Sequence, residues 1–240
     1  MKDQHFMVDE KILNKIVSVA NLKGDETVLE IGAGTGLLTE KLSSEASTVI
    51  AVEIDKKFKK DLENIENVKV VIGNGLEKMK RLKFDKIVAN IPYSITEALV
   101  QELLFHDFEI AILTVPKRFY YKLKGDSKLA IFTELFFVVE FIEIVPKTSF
   151  QPIPKTNSFI IKIVPKKLTS EKEKILKELF LQRDKKLKNA LLEALCRVKK
   201  LTKNQAREDL KALKTNIILG KKLSNLNARE LKFLVKSIKF

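Results

Sequence analysis

The spacing of apolar positions divides the chain in two. Between Thr27 and Pro165, short runs rich in Val and Ile alternate with charged segments of helical spacing, the pattern of a parallel sheet covered by helices. The runs at residues 27–31, 48–53, 68–72, 84–90 and 108–115 predict five strands. Two more, at 139–145 and 158–164, flank a proline-bearing loop at 146–154 and lie close enough to pair antiparallel, so a seven-stranded mixed sheet is expected. Beyond Pro165 the pattern changes: Leu, Lys, Glu and Ala dominate, β-branched residues thin out and no proline follows. The expected fold is α/β, a Rossmann-like seven-stranded domain over residues 1–167 with a small all-helical domain over residues 168–240.

Composition sharpens this division. A chain of 240 residues, 45% hydrophobic, suits one large core and a smaller appendage. Lys and Arg number 45 against 31 Asp and Glu, a net charge of +14. Residues 168–240 hold 20 basic and 8 acidic side chains, whereas residues 1–167 hold 25 and 23. A balanced body joined to a basic helical module predicts a polyanion docked on the helices, with Lys185, Lys186, Lys199 and Lys200 as exposed contacts. The plainer alternative is a solvated face, which would shift such contacts to the surroundings of Tyr93, Lys117, Arg118 and Lys155. The single cysteine, Cys196, excludes an intrachain disulfide. No stretch approaches 18 uncharged apolar residues and residues 1–10 carry no signal-like apolar run, so a cytoplasmic protein with no membrane partner is expected.

Candidate chemistry gathers at the ends of the predicted strands. The first strand runs into Glu30-Ile31-Gly32-Ala33-Gly34-Thr35-Gly36, where glycine permits a tight turn and close approach of backbone to a nucleotide-like ligand. The Gly-x-Gly-x-Gly spacing and the preceding acid argue against a dinucleotide. Glu53 ends the second strand, where a carboxylate can accept both hydroxyls of a ribose. Asn74, between Gly73 and Gly75, either reads an adenine edge or makes a plain turn. The fourth strand delivers Asn90-Ile91-Pro92-Tyr93 into its loop. The Asn90 side-chain oxygen and the Pro92 carbonyl could accept the two hydrogens of an aromatic amine, a poor nucleophile whose lone pair must be aimed at the methyl donor. Tyr93 could stack on an extruded base. No general base is needed, because the methylated amine loses its proton after transfer, and neither histidine, His5 or His106, lies in this motif.

These motifs, with Gln4-His5-Phe6-Met7 and the segment from Phe150-Gln151-Pro152-Ile153-Pro154-Lys155 to Ser158, resemble the ribosomal RNA adenine dimethyltransferases, the KsgA and Erm type enzymes, over essentially the whole chain. The resemblance implies a class I methyltransferase domain using S-adenosylmethionine, with no metal, acting on ribosomal RNA as a monomer. It implies that His5, Met7, Gly32, Gly34, Glu53, Asn74 and Asn90 bind the cofactor, and that Phe150 packs against the target base beside Asn90, Pro92 and Tyr93. The family usually carries asparagine at His5, leucine at Met7 and aspartate at Asn74. The basic segment 180–191 is similar to the KsgA branch, which implies dimethylation of two adjacent adenines near the 3′ end of small-subunit rRNA, within an immature subunit. The alternatives are an Erm-like large-subunit enzyme and a non-catalytic RNA-binding or transcription factor on the same fold. A nucleotide-dependent oxidoreductase would leave Asn90–Tyr93 without a role.

Overall fold

The computed structural model describes residues 4–212 and 218–238. The chain opens with β1 (Phe6–Met7), α1 (Glu10–Ala20), β2 (Thr27–Ile31), α2 (Leu37–Ser43), β3 (Thr48–Glu53), α3 (Lys59–Glu63), β4 (Val68–Ile72) and α4 (Gly75–Met79). It continues through β5 (Lys86–Asn90), α5 (Thr96–Glu102), β6 (Ile110–Pro116), α6 (Lys117–Lys124), α7 (Lys128–Phe136), β7 (Phe137–Val145), β8 (Phe150–Gln151) and β9 (Ser158–Pro165). Among the described residues, four α-helices follow: α8 (Glu171–Leu181), α9 (Leu187–Lys199), α10 (Lys203–Ala212) and α11 (Ala228–Ser237).

All seven expected strands join one sheet in the order β4-β3-β2-β5-β6-β9-β7. Only the pairings of β9, with β6 and with β7, are antiparallel. Because β2 has β3 on one side and β5 on the other, the strand order reverses beside it, and the crevice beyond the carboxyl ends of β2 and β5 is where such sheets take ligands. The fourth and fifth strands begin at Lys86 and Ile110, two residues later than their apolar runs suggest. Phe84 and Phe108 instead sit just before the strands, ring to ring with His106 and Phe137. Strands β1 and β8 form a separate two-stranded ribbon, Phe6 opposite Gln151 and Met7 opposite Phe150, which no periodicity announces because each is two residues long.

Helix α1 shows how the sheet acquires its cover. It buries Ile12, Leu13, Ile16 and Ala20 along one face. Asp9 caps it by accepting from the amides of Lys11 and Ile12 at 3.0 and 3.3 Å. The Ser149 hydroxyl donates to the other Asp9 oxygen at 2.8 Å, which ties the start of α1 to the turn before β8 and holds the Asp9 carboxyl below its usual range. At the amino-terminal end of β5, buried Lys86 meets Glu26 and the Asn21 carbonyl at 2.8 and 2.7 Å, so the buried ammonium has the partners it requires.

The chain packs as two compact units, Met1–Tyr121 with Phe137–Pro165, and Lys122–Phe136 with Lys166–Phe240. Helix α7 thus packs with the helices that follow the sheet, its Phe132 and Phe136 lying 5.4 and 5.2 Å from Phe180. Leu176, Leu179, Leu191, Leu195 and Leu234 fill the same core. Ion pairs lace its surface, Arg197 with Glu178 and Lys185 with Glu193 at 2.8 Å, and Lys199 with Asp209 at 2.6 Å. Lys185 and Lys199, expected as open contacts for a polyanion, are therefore already partnered by acids, because the few carboxylates of this unit lie within reach of its lysines. Among the described residues, no helix is long and apolar enough to cross a membrane.

Candidate active site

A cavity of ≈ 490 Å³ opens at the carboxyl ends of β2, β3 and β5. Its lining brings together every residue expected to bind the cofactor or the target base: His5, Met7, Gly32, Gly34, Glu53, Asn74, Asn90, Pro92, Tyr93 and Phe150. They arrive from six separate stretches of chain, which the fold collects at one edge of the sheet.

The wall formed by the glycine turn is made of backbone. Gly32, Gly34 and Gly36 all have positive φ, at 80°, 55° and 87°, a region that side chains rarely enter. At Gly34 a Cβ would also stand 2.9 Å from the Phe6 ring, which packs directly over the turn. At Gly32 it would protrude 3.5 Å from Pro92 Cδ, into the gap between the glycine turn and the Asn90–Tyr93 turn. Glu53 is 4% exposed, and its carboxylate accepts the amides of Gly34 at 2.8 Å and of Ile54 and Asp55 at 2.9 Å each. Three backbone donors fix this anion in place, two on Oε1 and one on Oε2, so that Oε2 keeps a free acceptor site.

Glu30, read from the sequence only as an argument against a dinucleotide, was not among the expected site residues. It lines the cavity at 2% exposure, and the Thr39 hydroxyl donates to it at 2.6 Å. Burial, reinforced by the nearby Glu53 charge and opposed by the Thr39 bond, pushes its carboxyl up to about 8. The signal was in hand, an acid directly before the glycine turn, but a carboxylate on the buried face of a strand is legible only once the strand's faces are known. Phe6 was missed for a similar reason, its place over Gly34 depending on the ribbon with β8.

The opposite wall depends on side chains. The Asn90 amide nitrogen donates to the His5 carbonyl at 3.1 Å, which leaves its oxygen as the acceptor facing away from that bond. His5 itself donates from Nδ1 to the Pro152 carbonyl at 2.7 Å, and its ring lies 6.1 Å from that of Tyr93. The Tyr93 hydroxyl bonds Ser158 Oγ at 2.7 Å, and Ser158 is fully buried. Two expectations change here. The Pro92 carbonyl, expected to accept an amine hydrogen, already accepts from the Ile95 amide at 3.1 Å and the Thr96 hydroxyl at 3.3 Å as α5 begins. The Asn74 oxygen is likewise committed, accepting from the Leu76 amide at 2.9 Å as the cap of α4. Met7 and Phe150, a cross-strand pair 5% and 3% exposed, belong to the hydrophobic core as much as to the cavity.

The residues fit a nucleoside-sized, cationic ligand. Glycines keep the floor open, a rigid carboxylate stands ready for hydroxyls, two acids lie at one end, and Phe6, Met7 and Phe150 supply apolar cover. Among the described residues, no group of three His, Cys, Asp or Glu side chains is placed to hold a metal.

Residues 2–227 match the protein-family model described as ribosomal RNA adenine dimethylase. A Methanosarcina mazei protein named probable ribosomal RNA small subunit methyltransferase A is 38% identical, over 79% of this chain and 76% of its own. The crystal structure of a dimethyladenosine transferase from Plasmodium falciparum matches with a TM-score of 0.66 at 30% identity, covering 97% of each chain. That of the 23S rRNA methyltransferase ErmE matches at 0.63 and 25%, over 97% of this chain and 99% of its own.

Proposed function

Because this chain belongs to the ribosomal RNA adenine dimethylase family, we propose that it dimethylates two adjacent adenines near the 3′ end of small-subunit rRNA, at N6, during ribosome biogenesis. It is an rRNA adenine methyltransferase with a Rossmann-like sheet and a C-terminal helical domain. Support for the detailed reading comes above all from one juxtaposition: the cavity that takes in Glu53 and the glycine turn also opens on Asn90 and Tyr93.

The proposed cofactor is S-adenosylmethionine, which when bound supplies an electrophilic methyl group on a sulfonium. Glu53 would accept the ribose hydroxyls, and Glu30 would face the cationic end. Asn90 Oδ1 would accept one hydrogen of the target amine. The second falls to the Ile91 carbonyl, which accepts no hydrogen bond among the described residues, in place of the doubly engaged Pro92 carbonyl. Holding both hydrogens in this way aims the nitrogen lone pair along the transfer path. Tyr93, anchored through Ser158, would stack on the base, with Phe150 behind it. The helical domain, residues 168–240, would dock rRNA through lysines without acid partners such as Lys186 and Lys200, in the cytoplasm and as a monomer.

Unmethylated small and large ribosomal subunits, offered separately with labelled cofactor, test this reading. Label is expected in two neighbouring adenines of small-subunit rRNA. Label confined to the large subunit would establish the Erm-like alternative, and cofactor binding without transfer to either would mark a non-catalytic RNA-binding protein.

A further inference from the structure

Three large apolar side chains stand exposed together on the unit that carries the cavity: Tyr121 at 56%, Ile144 at 50% and Phe141 at 43%. Phe159 forms their floor and is itself 5% exposed. Phe141 meets it edge-on at 4.9 Å, Tyr121 at 6.1 Å and Tyr120 at 5.6 Å, while Ile144 is its cross-strand partner. The floor is already covered, so burial of Phe159 does not account for the upper rings.

The charges around this cluster are of one sign. Lys117 and Arg118 precede Tyr121 by one helical turn on α6, the spacing that makes helix residues neighbours, and both are exposed. Neither side chain has an ion-pair or hydrogen-bond partner among the described residues. The two acids of β7 do not share this face. Glu140 and Glu143 pair across the strand with Lys162 and Ile160, whose side chains alternate with those of Phe159 and Ile161. The patch lies at the same end of the sheet as the cavity: Ser158, which holds Tyr93 from the other face, directly precedes Phe159 in β9, and α6 starts at the carboxyl end of β6, whose Thr114 lies opposite Asn90.

Flat rings flanked by unpartnered cations, with the carboxylates turned to the other face, match a polyanion that carries flat apolar rings. The geometry points to a second base platform: an unpaired nucleotide neighbouring the target in the same RNA strand stacks on Tyr121, backed by Phe141, with Lys117 and Arg118 on its phosphates. The inference rests on the proposed rRNA reading and adds to it a contact to sequence outside the modified base.

The full chain can be titrated with a single-stranded RNA oligonucleotide carrying 2-aminopurine, whose fluorescence is quenched by stacking. Wild type and Tyr121→Phe should quench and bind alike. Tyr121→Ala should lose the quenching and bind about five- to a hundred-fold more weakly. On ribosomal substrate its loss should fall on KM, with kcat at saturation and cofactor affinity unchanged. Lys117→Gln with Arg118→Gln should flatten the dependence of affinity on salt. Tyr121→Ala that binds and quenches like wild type would overturn the platform, as would equal binding of a duplex of the same sequence. A shift in sedimentation on Tyr121→Ala would mark the patch as a contact between copies of the chain, and also overturn it. Should wild type methylate no subunit, the rRNA reading fails, and the oligonucleotide titration still decides whether the platform exists.

Discussion

On one side of the cavity, Glu53 is fixed by three backbone amides, none more than 19 residues away; on the other, Asn90 and Tyr93 are held by groups 85 and 65 residues distant. The first wall is completed by one strand, one turn and the end of the neighbouring strand. The second exists only when the segment before α1, the turn after β5 and the start of β9 have come together. The wall proposed to take the cofactor is thus a local construction that any well-formed sheet of this order delivers. The wall proposed to take the target is a product of tertiary structure, its side chains holding one another across 85 and 65 residues of chain.

Separate losses should follow from mutating the two walls. Asn90→Ala removes the acceptor proposed to aim the amine, and turnover should fall by roughly 10²–10³-fold, the scale of losing one well-placed polar group at a reacting centre. Cofactor affinity, measured by calorimetry, should change far less, and a wild-type rate of labelled methyl transfer would refute the assignment. Glu53→Ala strikes the other wall. It should weaken cofactor binding by roughly 1–3 kcal/mol, the usual cost of removing a charged acceptor from its partners, and unchanged affinity would sink the ribose role.

The same contrast explains what could be read in the sequence. The glycine turn and Glu53 lie where apolar runs end, so their position on the sheet edge follows from strand periodicity alone. Asn90 and Tyr93 were legible as a motif, yet their anchors were not. Nothing local links Tyr93 to Ser158 or Asn90 to the His5 carbonyl, and the ribbon that brings His5 and Phe150 to the cavity consists of two strands of two residues. Glu30 was legible as an acid beside the glycine turn, but its place in the cavity wall and its bond from Thr39 depend on which face of β2 it takes. The engagement of the Pro92 carbonyl depends on where α5 begins, and helix starts are fixed by hydrogen bonds that the spacing of apolar residues does not report.

Glu30 sharpens the comparison through pH. With its carboxyl raised to about 8 by burial, it carries a proton at neutral pH, while in the unfolded chain it ionises near 4.5. The stabilisation it gives the folded state is complete below about 4.5 and is lost as pH rises toward about 8, because across that window the folded protein binds the extra proton. A cationic ligand beside Glu30 and Glu53 favours the ionised form and expels that proton. Cofactor affinity should therefore rise between about pH 6 and 8, by at most about ten-fold per pH unit for one proton, and level off above. Glu30→Gln should flatten the profile. An affinity that falls over this range in wild type, or an unchanged slope in the variant, would remove Glu30 from the cofactor site.

The smallest expected effect discriminates most finely between holding and reacting. Tyr93→Phe keeps the ring proposed to stack on the base and deletes the hydroxyl that bonds Ser158 at 2.7 Å. Since Ser158 is fully buried, its hydroxyl then loses that partner, and a lost hydrogen bond of this kind costs about 1 kcal/mol. That cost should appear as a fall of a few degrees in Tm and a turnover reduced no more than about ten-fold, as the ring becomes less well fixed. Tyr93→Ala should do more, because stacking itself is worth roughly 1–3 kcal/mol per base. Adding Ser158→Ala to Tyr93→Phe should cost little beyond the single change, since both variants break the same bond and their effects are not additive. If the phenylalanine variant loses as much turnover as the alanine variant, the hydroxyl takes part in the chemistry. Ser158 would then be its support at the reacting centre, and the target wall would be doing more than positioning.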